Sequence, residues 1–273
     1  MADLNAIRSG EDKLRRRLSS ALREEKSLSG IAFELIQWQL KGWGPILFGG
    51  FLRDLMVFGL KKWPRDIDIV FLSQTTEQLE RDFLEANPRK NRFGGIHCEL
   101  KKWQCDMWPL ETTWGFHQKE RIEPTPANLT KTTFLNVEAV AAEFGPGGTV
   151  TAIHHNGFFE AMRSKVLDIN LEDNPFPPLA AVRALLTARK LNFAVAPRLS
   201  EYVLRTAEKD GLSSFIEFQI SHYGEVRLSE PQLSTMLREL ESAFLSNQAL
   251  YLGPKEARQL KFWSEDRLRS TVL

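Results

Sequence analysis

The sequence predicts an α+β fold, a mixed sheet with flanking helices followed by an all-helical part. Three observations carry this expectation. Between Gly44 and Leu110, short apolar or β-branched runs alternate with helical segments in the order β-α-β-α-β-β, which implies a mixed sheet with helices against it. From about residue 127 onward, helical spacing dominates. At 273 residues the chain is long enough to bury a real core, as one large or two small domains.

The elements follow in order. Residues 11–40 place apolar side chains at helical spacings, with charge elsewhere. The run Arg15–Arg17 has two readings, contact with phosphates or a solvated helix face, and the second is the ordinary one. "GPILF" is a short apolar run bounded by glycine and fits a buried strand. "FLRDLMVFGL" reads as a helix stopping at Gly59, and "DIDIVF" as an alternating, β-branched strand. "TTEQLERDFLEAN" is an amphipathic helix with Thr75 or Thr76 as its cap. "GIHCELKKW" and "QCDMWPL" are two further strands.

Beyond them, "TTFLNVEAVAAEF" fits helix or strand, and "GPGGTVTAI" reads as a turn and a strand. "PPLAAVRALLTARKL" is a strong helix with prolines in its first turn. Its apolar stripe is Leu179, Val182 and Leu186, and Asn192 stands where a left-handed cap is common. "LSEYVLRTAEKDG", "PQLSTMLRELESAFL" and "PKEARQLKFW" complete a helical remainder. The predicted organisation is an N-terminal helical segment over 1–40 packed on a head at 41–168, then a helical neck and body at 169–273.

The bulk numbers narrow the function. A net charge of +1 argues against a chain coated in basic charge for nucleic acid, while leaving room for a local patch. The two cysteines, Cys98 and Cys105, have no metal spacing and read as reduced thiols in or near strands. The polar, charged start shows no signal peptide, so a cytoplasmic protein is expected. No apolar run is long enough to span a bilayer, because Arg53 and Asp54 interrupt the most apolar candidate.

The chemistry concentrates between Gly49 and Asp68. A strand that ends in Gly49-Gly50 and turns into a helix offers backbone N–H groups and a helix N-terminus to a phosphate. In a strand, Asp66 and Asp68 face the same side while Ile67 and Ile69 face the core. Two carboxylates that close repel unless a cation lies between them, and Mg²⁺ suits oxygen donors and phosphates. Asp106, between Cys105 and Met107 in the next candidate strand, offers a third carboxylate, with Glu99 and Glu111 as competitors. A two-metal phosphoryl-transfer site needs about this many oxygen ligands.

The pattern Gly49-Gly50-x-x-Arg53-Asp54 followed by Asp66-x-Asp68 resembles the signature of the nucleotidyltransferase superfamily. It is most similar to the head domain of the CCA-adding enzymes and bacterial poly(A) polymerases of the class II type. The resemblance implies a nucleotidyltransferase-type sheet whose Gly-Gly turn holds a triphosphate. It implies that Asp66 and Asp68 bind Mg²⁺, with Mn²⁺ able to substitute, and that Asp106 is the third carboxylate. It places Arg53 near the phosphates or as a brace of the corner, beside the alternatives of an ion pair with Asp54 or a helix-surface charge.

The resemblance continues more faintly. In "NLTKTTFLNVEAV", Lys131 and Asn136 match family positions implied to bind nucleotide, while Thr132 stands where the family has Asp. "NGFFEAMRSKVLDI" keeps Gly157 and Glu160 in kind. In "EDNPFPPLAAVRALLTARKLNF", Arg183 is kept, but Asn174 and Pro177 replace the Asp and Arg that read the incoming base in the family.

Other candidates are weaker. His154 and His155 are adjacent in a strand, point to opposite faces, and so do not share an ion easily. His97 and His117 lack a partner at ligand spacing. Trp103, Trp108 and Trp114 with Lys101 and Lys102 read either as sheet packing or as a stacking platform for single-stranded RNA. Arg183, Arg189 and Lys190 give the predicted neck helix either a basic face for an acceptor or triphosphate, or a plain solvated one.

The function expected from all this is metal-dependent transfer of a nucleoside monophosphate from a nucleoside triphosphate to an acceptor hydroxyl. The family resemblance implies an RNA 3′ end, tRNA in particular, as acceptor. Transfer to a small molecule or a protein side chain, and a non-catalytic nucleotide- or RNA-binding role, stand as alternatives.

Overall fold

A computed structural model describes residues 4–24, 29–59, 66–118 and 122–252. The last predicted helix, "PKEARQLKFW", lies outside the described residues. Contacts divide the chain into two compact units. The first comprises the described residues of Met1–Ser164 with Asn170–Asp173, and the second those of Lys165–Ile169 with Asn174–Leu273.

The first unit is a sheet with helices on it. Its elements are α1 (Leu4–Glu24), α2 (Ser29–Leu40), β1 (Pro45–Phe48), α3 (Gly50–Phe58), β2 (Asp66–Phe71) and α4 (Thr76–Asp82). They continue with β3 (Arg89–Lys90), β4 (Ile96–Leu100), β5 (Trp103–Pro109), α5 (Pro126–Leu129), β6 (Val140–Phe144), β7 (Val150–His155) and α6 (Phe158–Ser164). The ambiguous "TTFLNVEAVAAEF" is neither one helix nor one strand: a 3-10 turn at Asn136–Glu138 leads into β6.

Strand order is β3-β4-β5-β2-β1-β6-β7. β2 and β5 run parallel, and the other pairs of this sheet run antiparallel, so the sheet is mixed as predicted. Lys101 and Lys102, both at positive φ, make the two-residue turn of the β4–β5 hairpin. The predicted cap at Thr75 forms, in a capping box with Gln78.

Alternation sorts the two faces of the sheet. Leu47, Ile67, Ile69, Phe71, Cys105 and Met107 point to one face. There they bury against Leu14, Leu18, Phe51, Leu52, Leu79 and Phe158 from the helices. Each such side chain contributes about 1.5–3 kcal/mol when fully buried. The opposite face carries a smaller cluster of Ile46, Phe48, Val70, Leu110, Phe116 and Leu129, with Trp108 packed against it. Trp103 is buried in the larger core and Trp108 meets Phe48 edge-on, so these tryptophans pack the sheet.

The arginine run of α1 divides: Arg16 is exposed, as the solvated reading has it, while Arg15 and Arg17 bond to backbone within the unit. Arg17 Nη1 donates to the carbonyl oxygens of Leu55 (3.1 Å) and Met56 (2.6 Å), closing the C-terminal end of α3. Arg15 donates to the Val150 carbonyl and pairs with Glu11.

The second unit holds β8 (Val166–Leu167), α7 (Pro177–Leu191), β9 (Ala194–Val195), α8 (Pro197–Tyr223), α9 (Glu230–Leu245) and β10 (Leu250–Tyr251). The three short strands pair in the order β10-β9-β8. Pro177 opens α7 and Asn192 closes it in the left-handed conformation, as predicted. The buried stripe of α7 includes Leu179, Val182 and Leu185, whereas Leu186 is only half-buried. α8 bends at Gly211, whose φ of 73° breaks the helical geometry.

Both cysteines are free and buried, and they face each other in register across β4 and β5. Burial, and secondarily the Asp106 carboxylate, pushes the Cys98 thiol up to about 11. Cys105 is driven up as well, by burial first and then by Cys98 and Asp106. At pH 8 only about one part in a thousand of a thiol so shifted is thiolate. Native protein is therefore expected to resist iodoacetamide at pH 8, with both thiols alkylated once guanidinium unfolds the chain. Stoichiometric labelling of the native protein, read by mass spectrometry, contradicts this.

Candidate active site

The corner after β1 is built by two glycines with different tasks. Gly49 has φ 68° and ψ −125°, a conformation that a side chain strains. A Cβ built on it meets Asp68 Oδ2 at 3.5 Å and the Glu138 carbonyl at 4.0 Å, so the turn lies directly against the Asp68 carboxylate. The Gly49 N–H is bonded to the Val140 carbonyl at 3.0 Å. That corrects the expectation that both glycines offer N–H donors to a phosphate. The donors available for an anion are the first-turn N–H groups of α3, beginning at Gly50.

Arg53 is 7% exposed. Its Nε donates to Asp54 Oδ1 at 2.9 Å and its Nη1 to Glu138 Oε1 at 2.5 Å. Burial alone lowers an arginine pKa; here the Glu138 and Asp54 carboxylates outweigh burial and the net shift is upward. Of the readings left open for Arg53, the brace with an Asp54 ion pair is the arrangement present. Its Nη2 lies 3.5 Å from the position a Gly50 Cβ takes, so the guanidinium packs under the turn. Glu138 escaped the sequence reading, although it stands in the quoted run after Asn136.

The acidic residues lie where alternation puts them. Asp66 and Asp68 are on β2 and half-buried, with Ile67 and Ile69 in the core. Asp106, also half-buried, is the direct register partner of Asp68 on the parallel strand β5. Neighbouring strands are about 4.8 Å apart. One row of residues crosses the sheet on this face: His97, Asp106, Asp68, Phe48, Ala141 and His154. Beside it runs Glu99, Gln104 and Asp66. The competitors for third carboxylate are elsewhere: Glu99 pairs across to Gln104, and Glu111 sits in the turn beyond β5.

The donor set is all carboxylate oxygen, which suits a hard divalent cation. Asp68 and Asp106 fit one ion in placement. Among the described residues, however, no three His, Cys, Asp or Glu side chains gather their donor atoms into a single coordination shell. Asp106 Oδ1 instead meets His97 Nδ1 at 2.9 Å, so His97, which has no partner at a metal-ligand spacing in the sequence, is tied to the acidic row by a hydrogen bond.

The remaining predicted residues are spread out. Lys131 is exposed and Asn136 begins the 3-10 turn before β6. The loop that carries Lys131 is pinned by Asn170, whose amide donates to the carbonyls of Thr130 (2.9 Å) and Thr133 (3.1 Å). Thr132 serves that loop: its hydroxyl donates to Leu129 at 2.7 Å, and it packs on Gly115, where an added Cβ meets it at 2.5 Å. Arg183, Arg189 and Lys190 are exposed on α7 in the second unit. In that unit Asn174 Oδ1 accepts from Phe176 N at 2.9 Å and Pro177 is the first residue of α7, so both start the helix. His154 pairs with Glu143 and His155 stacks edge-on against Phe159, confirming that the two histidines part company. Among the described residues no helix is long and apolar enough to cross a membrane.

No family model and no curated protein matches the chain. Solved structures do. A tRNA-processing enzyme in an apo form matches with a TM-score of 0.57 at 18% identity, over 80% of this chain and 58% of its own. The Thermotoga maritima CCA-adding enzyme complexed with tRNA matches with a TM-score of 0.58 at 15% identity, over 82% of this chain and 54% of its own. A tRNA nucleotidyltransferase with a primer tRNA and an incoming ATP analogue matches with a TM-score of 0.53 at 16% identity, over 77% and 61%. The chain thus spans little more than half the length of these structures. At this level of identity the likeness is one of fold alone: the chain has the fold of the CCA-adding enzymes and tRNA nucleotidyltransferases it matches.

Proposed function

We propose that the chain is a metal-dependent nucleotidyltransferase that moves a nucleoside monophosphate from a nucleoside triphosphate to the 3′ hydroxyl of an RNA, tRNA in particular. The observation that carries this reading is the corner itself: a glycine turn opening a helix against Asp68, with Asp106 in register beside it. The acceptor oxygen forms a bond to the α-phosphorus, the bond to the β-phosphate oxygen breaks, and pyrophosphate leaves. Asp66 and Asp68 hold the cation, and Asp106 accepts the proton of the attacking hydroxyl. Mg²⁺ bound there supplies neutralisation of the phosphate charge. The first turn of α3 receives phosphate oxygens on its N–H groups. Arg53 keeps that turn in place through Asp54 and Glu138 rather than by touching the nucleotide. Lys131, Asn136 and Arg183 remain assigned to the nucleotide through the resemblance. The tRNA assignment draws on solved neighbours described as bound to tRNA and to ATP or CTP.

The test is transfer of label from each α-labelled nucleoside triphosphate, with Mg²⁺, to tRNA, to other RNA and to a small-molecule hydroxyl panel. Transfer to tRNA is expected, falling steeply as salt rises because phosphate contacts release counterions. Transfer to a small molecule alone, insensitive to salt, overturns the RNA assignment. No transfer to any acceptor overturns the enzymatic one.

A further inference from the structure

The polar face of the sheet carries a hydrogen-bond chain that ends on Asp106 and whose other members the reaction above does not use. It begins at Glu99, whose Oε2 accepts from Gln104 Nε2 at 3.1 Å. That bond settles the orientation of the Gln104 amide, leaving its carbonyl oxygen to face His97 Nε2 at 3.0 Å. The other ring nitrogen, Nδ1, meets Asp106 Oδ1 at 2.9 Å. The imidazole is therefore held at both ends, and its ring plane is fixed by a neighbour that is itself fixed.

The register explains the assembly. His97 and Asp106 are direct partners across the β4–β5 hairpin, as are Glu99 and Gln104. Asp106 in turn has Asp68 on its other side. A carboxylate on a strand otherwise turns freely about its side-chain bonds. Here one oxygen is committed to His97, which leaves Oδ2 for a cation or a hydroxyl.

We propose that His97 is the positioning residue of Asp106, fixing by its Nδ1 which carboxylate oxygen serves the site. This inference rests on the proposed transferase reading. Partners of this kind, which orient a ligating carboxylate without touching substrate, alter metal affinity or rate by about 10–100-fold when removed.

Two isosteric replacements separate positioning from packing. The amide nitrogen of asparagine overlays Nδ1, and that of glutamine overlays Nε2. His97→Asn thus places an N–H donor toward Asp106, His97→Gln places one toward Gln104 only, and His97→Ala places neither. All three are measured for transfer with tRNA, for KM of the nucleotide, for Mn²⁺ affinity from the EPR signal of the free ion, and for thermal melting. The expected result is a kcat and a Mn²⁺ affinity about 10–100-fold lower in the Gln and Ala variants, with KM little moved and melting intact. His97→Asn is expected to recover at least tenfold over His97→Ala.

Equal losses in Asn and Gln, or equal retention, overturn the positioning role while leaving the transferase reading in place. A wild-type protein that transfers nothing overturns the transferase reading. The Mn²⁺ comparison then still decides whether His97 tunes the Asp106 carboxylate, since only positioning separates Asn from Gln.

Discussion

If the proposed transfer holds, Asp68→Asn is expected to lower it by about 10³-fold or more, the equivalent of about 4 kcal/mol of transition-state stabilisation. Asp68 is the residue on which the corner converges. The Gly49 turn lies against its Oδ2, Asp106 is its partner on β5, and Phe48 is its partner on β1. The substitution keeps the shape and removes the charge. It also removes one of two carboxylates that repel each other across adjacent strands. The melting temperature without metal is therefore expected to hold or rise while activity disappears. Mg²⁺ is expected to raise the melting temperature of the wild type and not that of the variant, because only a ligand bound by the folded state stabilises it. A variant that transfers nucleotide at the wild-type rate rules out this site.

Arg53→Met acts on stability first. The guanidinium is nearly excluded from water, and so are its partners: side-chain exposures are 9% for Arg53, 5% for Asp54 and 15% for Glu138. Losing the cation leaves two acidic groups in poor solvent. Breaking such a buried pair by removing one partner costs about 3–5 kcal/mol. For a unit of this size that is a fall in melting temperature of roughly 10 °C. Adding Glu138→Gln to Arg53→Met is expected to return part of the loss, since the three groups form one network and their effects do not add. A single variant that melts within a degree of wild type, or a double variant whose losses simply sum, refutes the brace.

What could be read along the chain and what could not divide by physical range. The period-2 alternation of "DIDIVF" and "QCDMWPL" places each aspartate opposite its core-facing neighbours, and both strands form as read. The turn at Gly49-Gly50 and the caps at Thr75 and Asn192 are equally local. The Arg53–Glu138, Arg17–Met56 and His97–Asp106 contacts depend on which strand or helix lies beside which. Spacing within one segment carries no such information. Fold class was therefore legible, and so was the placement of Asp66, Asp68 and Asp106 on one face of the sheet. Their supporting partners were not: neither Glu138 nor the Glu99–Gln104–His97 chain has a signature of its own. Leu186 is a smaller case, since a stripe drawn at ideal spacing missed that Leu185 takes the deeper position.

The parallel register of β2 with β5 has a consequence for biogenesis. Asp68 and Asp106 become neighbours only after the chain has travelled through α4, β3 and the whole β4–β5 hairpin before returning alongside. Such a long-range pairing closes late and forms slowly. A nascent chain that stops before Trp103 carries the glycine turn and half of the acidic pair, yet has nothing to set opposite it. During refolding, catalytic competence should therefore emerge in one step with the slowest sheet-forming phase, well after the helices have acquired their circular dichroism.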